Sequence, residues 1–226
     1  MKKQKLKWFI MLTLCLILFS ACTPVIDLNG NENSSVIFYN GEEYRNEAFL
    51  SAEDDRELIG YLDGKFGSSV YSVGSGEYIE IVGDDNSGFF IKNGIDIPVS
   101  GTVTKVLVDP SYRGDKSLYL VSNDELTMIE ELKNLSGETQ TFEVDNYYTD
   151  GNAFYYVYDN SNVSCEDNYG GYVAFTDGKW IYAAAENKST RTGEGNAVTI
   201  EAITIDDPKL IEKMCKTDLT KYIDYK

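Results

Sequence analysis

The sequence predicts an α+β protein made mainly of antiparallel β meanders and hairpins, with two short helices at about 123–134 and 207–215. Three observations carry this. Short runs of β-branched and aromatic residues recur along the chain, separated by Gly, Asn and Asp, as strands and tight turns require. Three dipeptides, Asn40-Gly41, Asp150-Gly151 and Asp177-Gly178, sit between strand formers, and such pairs tolerate the positive φ of two-residue hairpins. Helical spacing appears in only two segments of the mature chain. The order is therefore strands, helix, strands, helix, which points away from a doubly wound parallel sheet.

Each element has a local reason. Val36-Ile37-Phe38-Tyr39 and Glu42-Glu43-Tyr44-Arg45 flank the first hairpin signal. Strand-like runs follow at Leu58–Leu62, Val70–Val73, Tyr78–Val82 and Phe89–Ile91, the last two separated by the turn-forming Gly83–Gly88. Residues 93–100 contain Gly94 and Pro98. They mark a boundary between a small antiparallel β-rich region at 35–100 and an α+β region at 101–226. The second region opens with Val103–Val108 and Leu118–Val121. Ser122 and Glu125 form a capping box, and Leu126, Ile129 and Leu132 then recur at helical spacing, with Glu130 and Glu131 facing out. Asn134 and Gly137 end this helix. In the tyrosine-rich meander, Thr141–Tyr148 and Ala153–Tyr158 flank Asp150-Gly151, and Tyr172–Phe175 and Lys179–Ala184 flank Asp177-Gly178. Ala197–Ile205 alternates as a further strand. Asp206 or Asp207 caps the last helix, with Pro208 in its first turn and Leu210, Ile211 and Met214 as its apolar stripe.

Residues 1–21 are of another kind. Lys2, Lys3, Lys5 and Lys7 precede an apolar run from Trp8 to Phe19, and the run ends in Phe19-Ser20-Ala21-Cys22. A basic start, a short apolar stretch and small residues describe a secretory signal peptide. The stretch of about 12 residues falls short of the roughly 20 that a membrane span needs. A cysteine directly after the small pair resembles a bacterial lipobox, with Phe19 where that family usually has Leu. The resemblance implies cleavage before Cys22, lipid on Cys22, palmitate among its acyl chains, and a mature chain on the outer face of the cytoplasmic membrane. Residues 22–34 then read as the lipidated cysteine and a polar tether. The strand–strand–helix–meander order over 101–215 is similar to modules of uncharacterised lipoproteins of Gram-positive bacteria. It favours that envelope type and implies no activity.

Charge narrows the partners. Four of the 20 basic residues lie in the leader and all 37 acids follow it, so the mature chain carries a formal charge of −21. Such a surface repels nucleic acid and anionic headgroups. An aromatic content of 13 % argues for a folded chain rather than a disordered one. Of four cysteines, Cys15 leaves with the leader and Cys22 takes lipid. Cys165 and Cys215 remain as a possible disulfide closing a loop of about 50 residues, worth on the order of 4 kcal/mol; the alternative is two buried thiols.

The absence of histidine removes Ser-His-Asp and Cys-His catalysis and His-ligated zinc. No Gly-rich phosphate loop opens a helix, so no nucleotide cofactor is expected. Carboxylate pairs are the catalytic option that remains. Asp159, Asn160, Asn162 and Asp167 offer hard oxygen ligands suited to calcium, although Asp and Asn also favour turns on their own account. Tyr147, Tyr156, Tyr158, Tyr172 and Trp180 crowd one region and are candidate ligand-binding aromatics, with sheet stabilisation as the competing role. The resulting expectation is a lipid-anchored, extracytoplasmic, non-catalytic binding or interaction protein without a cofactor, its partner an envelope protein or wall ligand. A carboxylate-based envelope hydrolase and a calcium-stabilised scaffold are the alternatives.

Overall fold

The computed structural model describes residues 25–26, 36–46, 50–51, 56–62, 68–83, 88–108, 118–120, 123–147, 149–184, 189–191, 197–221 and 223. The expected signal peptide at 1–21, the expected lipidation site Cys22 and the expected helix cap Ser122 lie outside them. The structure is mainly antiparallel β in two large sheets with two helices. The described residues fall into two compact units, one within Met1–Asn46 and Asp55–Ile95, the other within Glu47–Asp54 and Asp96–Lys226.

The first unit is one seven-stranded sheet. Its strands are β1 (Val25–Ile26), β2 (Val36–Tyr39), β3 (Glu42–Arg45), β5 (Arg56–Leu62), β6 (Ser69–Val73), β7 (Tyr78–Val82) and β8 (Gly88–Lys92), while β4 (Leu50–Ser51) belongs to the second unit. The spatial order is β1-β5-β6-β7-β8-β3-β2. Asn40 and Gly41 both take positive φ, 52° and 81°, and Tyr39 pairs with Glu42, so this turn is the two-residue hairpin its sequence predicts. Alternation along the strands sends Ile37, Tyr44, Val70, Ile79, Ile81 and Phe90 into one buried cluster. The Tyr44 hydroxyl donates to the Gly76 carbonyl at 2.9 Å, tying β3 to the turn between β6 and β7. Arg56 pairs with Glu80 at 3.0 Å and lies 4.8 Å from the centre of the Tyr71 ring.

Within residues 22–34, read as the lipidated cysteine and tether, Val25 and Ile26 form a strand parallel to β5, pairing with Tyr61 and Leu62. Two β-branched residues meet the edge of β5, and a strand this short has no period to read.

The second unit holds β9 (Val103–Val108), β10 (Leu118–Leu120), α1 (Asn123–Lys133), β11 (Gln140–Val144), β12 (Gly151–Tyr158), β13 (Val163–Ser164), β14 (Tyr169–Thr176), β15 (Lys179–Ala184), β16 (Ser189–Arg191), β17 (Val198–Thr204) and α2 (Pro208–Met214). The sheet order is β10-β9-β12-β14-β15-β17-β11, with β16 beside β17 and a separate β4–β13 pair. One face carries Val106, Val108, Phe154, Tyr156, Val173, Trp180 and Tyr182. It is covered by Met128, Ile129 and Leu132 of α1, Leu210 and Met214 of α2, and Leu219 and Ile223 beyond. The opposite face gathers Phe142, Val144, Tyr155, Tyr172, Ile181, Val198 and Ile200 into a second core with no helix in it. The sheet coils around that face, and the Thr176 hydroxyl of β14 donates to the Glu143 carbonyl of β11 at 2.9 Å. Strand β12 is therefore buried on both faces, from Gly151 through Val157.

Both helices match their sequence signals. Asp207 caps α2 by accepting from the Lys209 N–H at 2.9 Å, with Pro208 at the first helical position. Asn134 ends α1, its amide donating to the Glu130 carbonyl at 2.7 Å. Asp177 and Gly178 take φ of 51° and 73° and turn β14 into β15, where Thr176 pairs with Lys179. Asp150-Gly151 forms no hairpin. Strand β11 pairs with β17 instead of β12, and the Asp150 carboxylate folds back to accept from the Asn146 N–H at 3.0 Å.

Candidate functional site

The five candidate aromatics form two clusters rather than one face. Successive residues of a strand point to opposite sides, and here both sides are cores. Tyr156 and Trp180 belong to the helix-covered core, and half-buried Tyr158 packs against it. Tyr172 belongs to the opposite core, with half-buried Tyr147 against it. Tyr156, Tyr172 and Trp180 are only 7 %, 1 % and 5 % exposed, so their rings serve packing and present no open face.

Around Tyr172 the aromatic contacts are dense. The Tyr147 ring lies flat on Tyr172, centroids 4.4 Å apart and planes 4° from parallel, and the Tyr172 hydroxyl donates to the Tyr147 carbonyl at 2.8 Å. Tyr155 meets Tyr169 edge-on at 5.5 Å. Burial raises the pKa of Tyr169 and of Tyr172, with the neighbouring Tyr147 adding to both, so these phenols stay neutral. On the other face Tyr156 meets Tyr158 edge-on at 6.2 Å, and the Lys133 ammonium stands 5.2 Å from the Tyr156 ring while pairing with Glu130 at 3.1 Å. Burial, then Tyr182, raises the Tyr156 pKa. The surface-accessible parts of this region are Tyr147, Tyr158 and Tyr169, all half-buried.

The calcium candidates are engaged in turn formation. Asp159 accepts from the Thr102 N–H at 3.2 Å, and the Asn162 carboxamide oxygen accepts from the Lys105 ammonium at 3.1 Å. Asn160 takes a φ of 66°, which Asn tolerates. Asp167 is exposed within the short turn Glu166–Asn168. Among the described residues no group of three His, Cys, Asp or Glu side chains is placed to hold a metal.

Cys165 and Cys215, the possible disulfide pair, stand as two free, half-buried thiols. Cys165 precedes the Glu166–Asn168 turn, and Cys215 caps the C-terminus of α2, where it packs against the helix-covered core. Desolvation pushes the Cys165 thiol above its ordinary pKa, against backbone hydrogen bonds that lower it, which makes it a poor nucleophile.

Sequence reasoning missed the buried polar residues. Asn152 donates to the Leu219 carbonyl at 2.8 Å, Ser164 to the Tyr156 carbonyl at 2.8 Å, and Asn168 to the Pro98 carbonyl at 3.1 Å. Two of these partners lie about 70 residues away in the chain, beyond any local signal. No fully buried Asp or Glu occurs among the described residues.

No protein-family model matches the chain, and neither a curated protein nor a solved structure resembles it significantly.

Proposed function

We propose that this is a lipid-anchored protein on the outer face of a bacterial cytoplasmic membrane, in an envelope of Gram-positive type, which works by binding an envelope protein or wall ligand rather than by catalysis. The observation that carries the reading is Phe19-Ser20-Ala21-Cys22 at the end of a basic and apolar leader. The chain lacks histidine, and its formal charge of −21 after the leader disfavours nucleic acid. The fold is best classed as α+β, with both helices on one face of an antiparallel sheet. In the second unit the half-buried tyrosines a partner could reach are Tyr147 and Tyr169 on one side of the sheet and Tyr158 on the other.

Affinity capture from native envelopes with the 23–226 fragment tests this. One retained protein or polymer, lost with Tyr158→Ala or Tyr147→Ala but kept with an exposed substitution such as Glu201→Ala, supports the reading. No retention by the parent fragment, or hydrolysis of a wall polymer by it, contradicts it.

A further inference from the structure

We infer that the β1–β5 edge of the first unit rests on the lipid surface that holds Cys22. This builds on the lipid-anchor reading and adds which part of the protein meets the membrane.

The chain between anchor and fold is very short. Only Thr23 and Pro24 separate Cys22 from Val25, the first residue of β1. Three extended residue steps span at most about 10 Å. One of these two residues is proline, the residue type with the least backbone freedom. A flexible tether of a dozen residues would instead let the fold stand off by roughly 20 Å.

The pairing then sets the direction of approach. Val25 lies opposite Tyr61 and Ile26 opposite Leu62, with β1 parallel to β5. The chain therefore enters β1 from the side on which β5 begins. Among the described residues, β1 covers only Tyr61 and Leu62, so Arg56–Gly60 has no strand on that side. This stretch carries Leu58, an exposed large apolar side chain at 38 %, between exposed Glu57 and half-buried Ile59. An exposed apolar residue beside a charged one suits the headgroup boundary, where an anchored chain is already concentrated. The opposite edge of this sheet is β2, five strands away, or about 24 Å at ordinary strand spacing.

Energy transfer from the lipidated full chain tests the orientation. Cys165→Ser and Cys215→Ser remove the described free thiols, and a donor dye is then attached through Leu58→Cys on β5 or Phe38→Cys on β2. The protein is placed in phosphatidylcholine vesicles carrying an acceptor on the headgroup. Transfer from position 58 is expected to exceed that from position 38 at least twofold. Eight Gly-Ser residues inserted between Thr23 and Pro24 should abolish the difference. Equal transfer from both positions, or a difference that survives the insertion, overturns the inference while leaving the anchor intact. A chain that does not float with the vesicles overturns the anchor reading and this inference with it.

Discussion

Replacing Gly171 by alanine strikes the second unit at a tightly packed point. The residue has a φ of +148°, which L side chains rarely adopt. A Cβ there would lie 2.8 Å from Cε2 of Tyr182, 2.9 Å from the Ala183 carbonyl oxygen and 3.0 Å from Cζ of Phe154. The two rings are buried in the helix-covered core, and the carbonyl belongs to the neighbouring strand, so none of the three moves freely. Overpacking of this kind costs about 1–3 kcal/mol. The backbone conformation adds about 1–2 kcal/mol. A loss of about 2–5 kcal/mol follows. With a urea m-value of about 2 kcal/mol/M, the midpoint falls by roughly 1–2.5 M. In the 23–226 fragment fluorescence reports on this unit alone, because Trp8 lies outside the fragment and Trp180 is its single tryptophan. Gly178→Ala is the control. It shares the positive φ, at +73°, but its Cβ would meet nothing within 4 Å, so it costs about 1 kcal/mol. Phe154→Leu should recover part of the Gly171→Ala loss by withdrawing one contact. Equal midpoints for the Gly171→Ala and Gly178→Ala fragments would refute the packing described for β14.

Other expectations rest on single contacts. Tyr172→Phe removes the donor to the Tyr147 carbonyl and should cost about 1 kcal/mol in the same urea titration, with the ring stack retained. Asp207→Ala removes the cap of α2 and should also cost about 1 kcal/mol, read by thermal melting. Tyr156, Tyr169 and Tyr172 are held by burial above the ordinary tyrosine range. Unfolded tyrosines ionise near about pH 10, so above that the unfolded chain binds fewer protons than the fold. Their stabilising contribution is present below about pH 10 and is lost as the pH rises beyond it. The tyrosinate absorbance band should therefore keep a component that rises only with unfolding. Because Cys165 and Cys215 are free, a reductant should leave the melting temperature of the 23–226 fragment unchanged, and thiol titration in denaturant should find both.

What was legible in the sequence was local. Asn40-Gly41 and Asp177-Gly178 announce hairpins because two adjacent residues supply the whole turn geometry. Asp207-Pro208 announces a helix start because the cap and its N–H are two residues apart. Asp150-Gly151 misled because pairing is decided by the whole sheet: Phe142 of β11 finds Ile200 of β17, and the turn collapses onto Asn146 instead. The tyrosine-rich meander looked like a binding face because alternation suggests one wet side. Coiling of the sheet buries the side that the helices leave open, so Tyr155 and Tyr172 become core just as Tyr156 does. The contact between Asn162 and the Lys105 ammonium, 57 residues away, has no local signal in the sequence. Leader and fold differ in this respect, since a leader is read as an unfolded segment and its signal lies entirely in residue order.

Mass spectrometry of the mature N-terminal peptide from native membranes tests the central claim most directly. The account predicts a chain that begins at Cys22 and carries a thioether-linked diacylglyceryl group, with residues 1–21 gone and membrane retention lost in Cys22→Ala. A chain beginning at Met1, a mature N-terminus at any residue other than Cys22, or an unmodified Cys22 would contradict it.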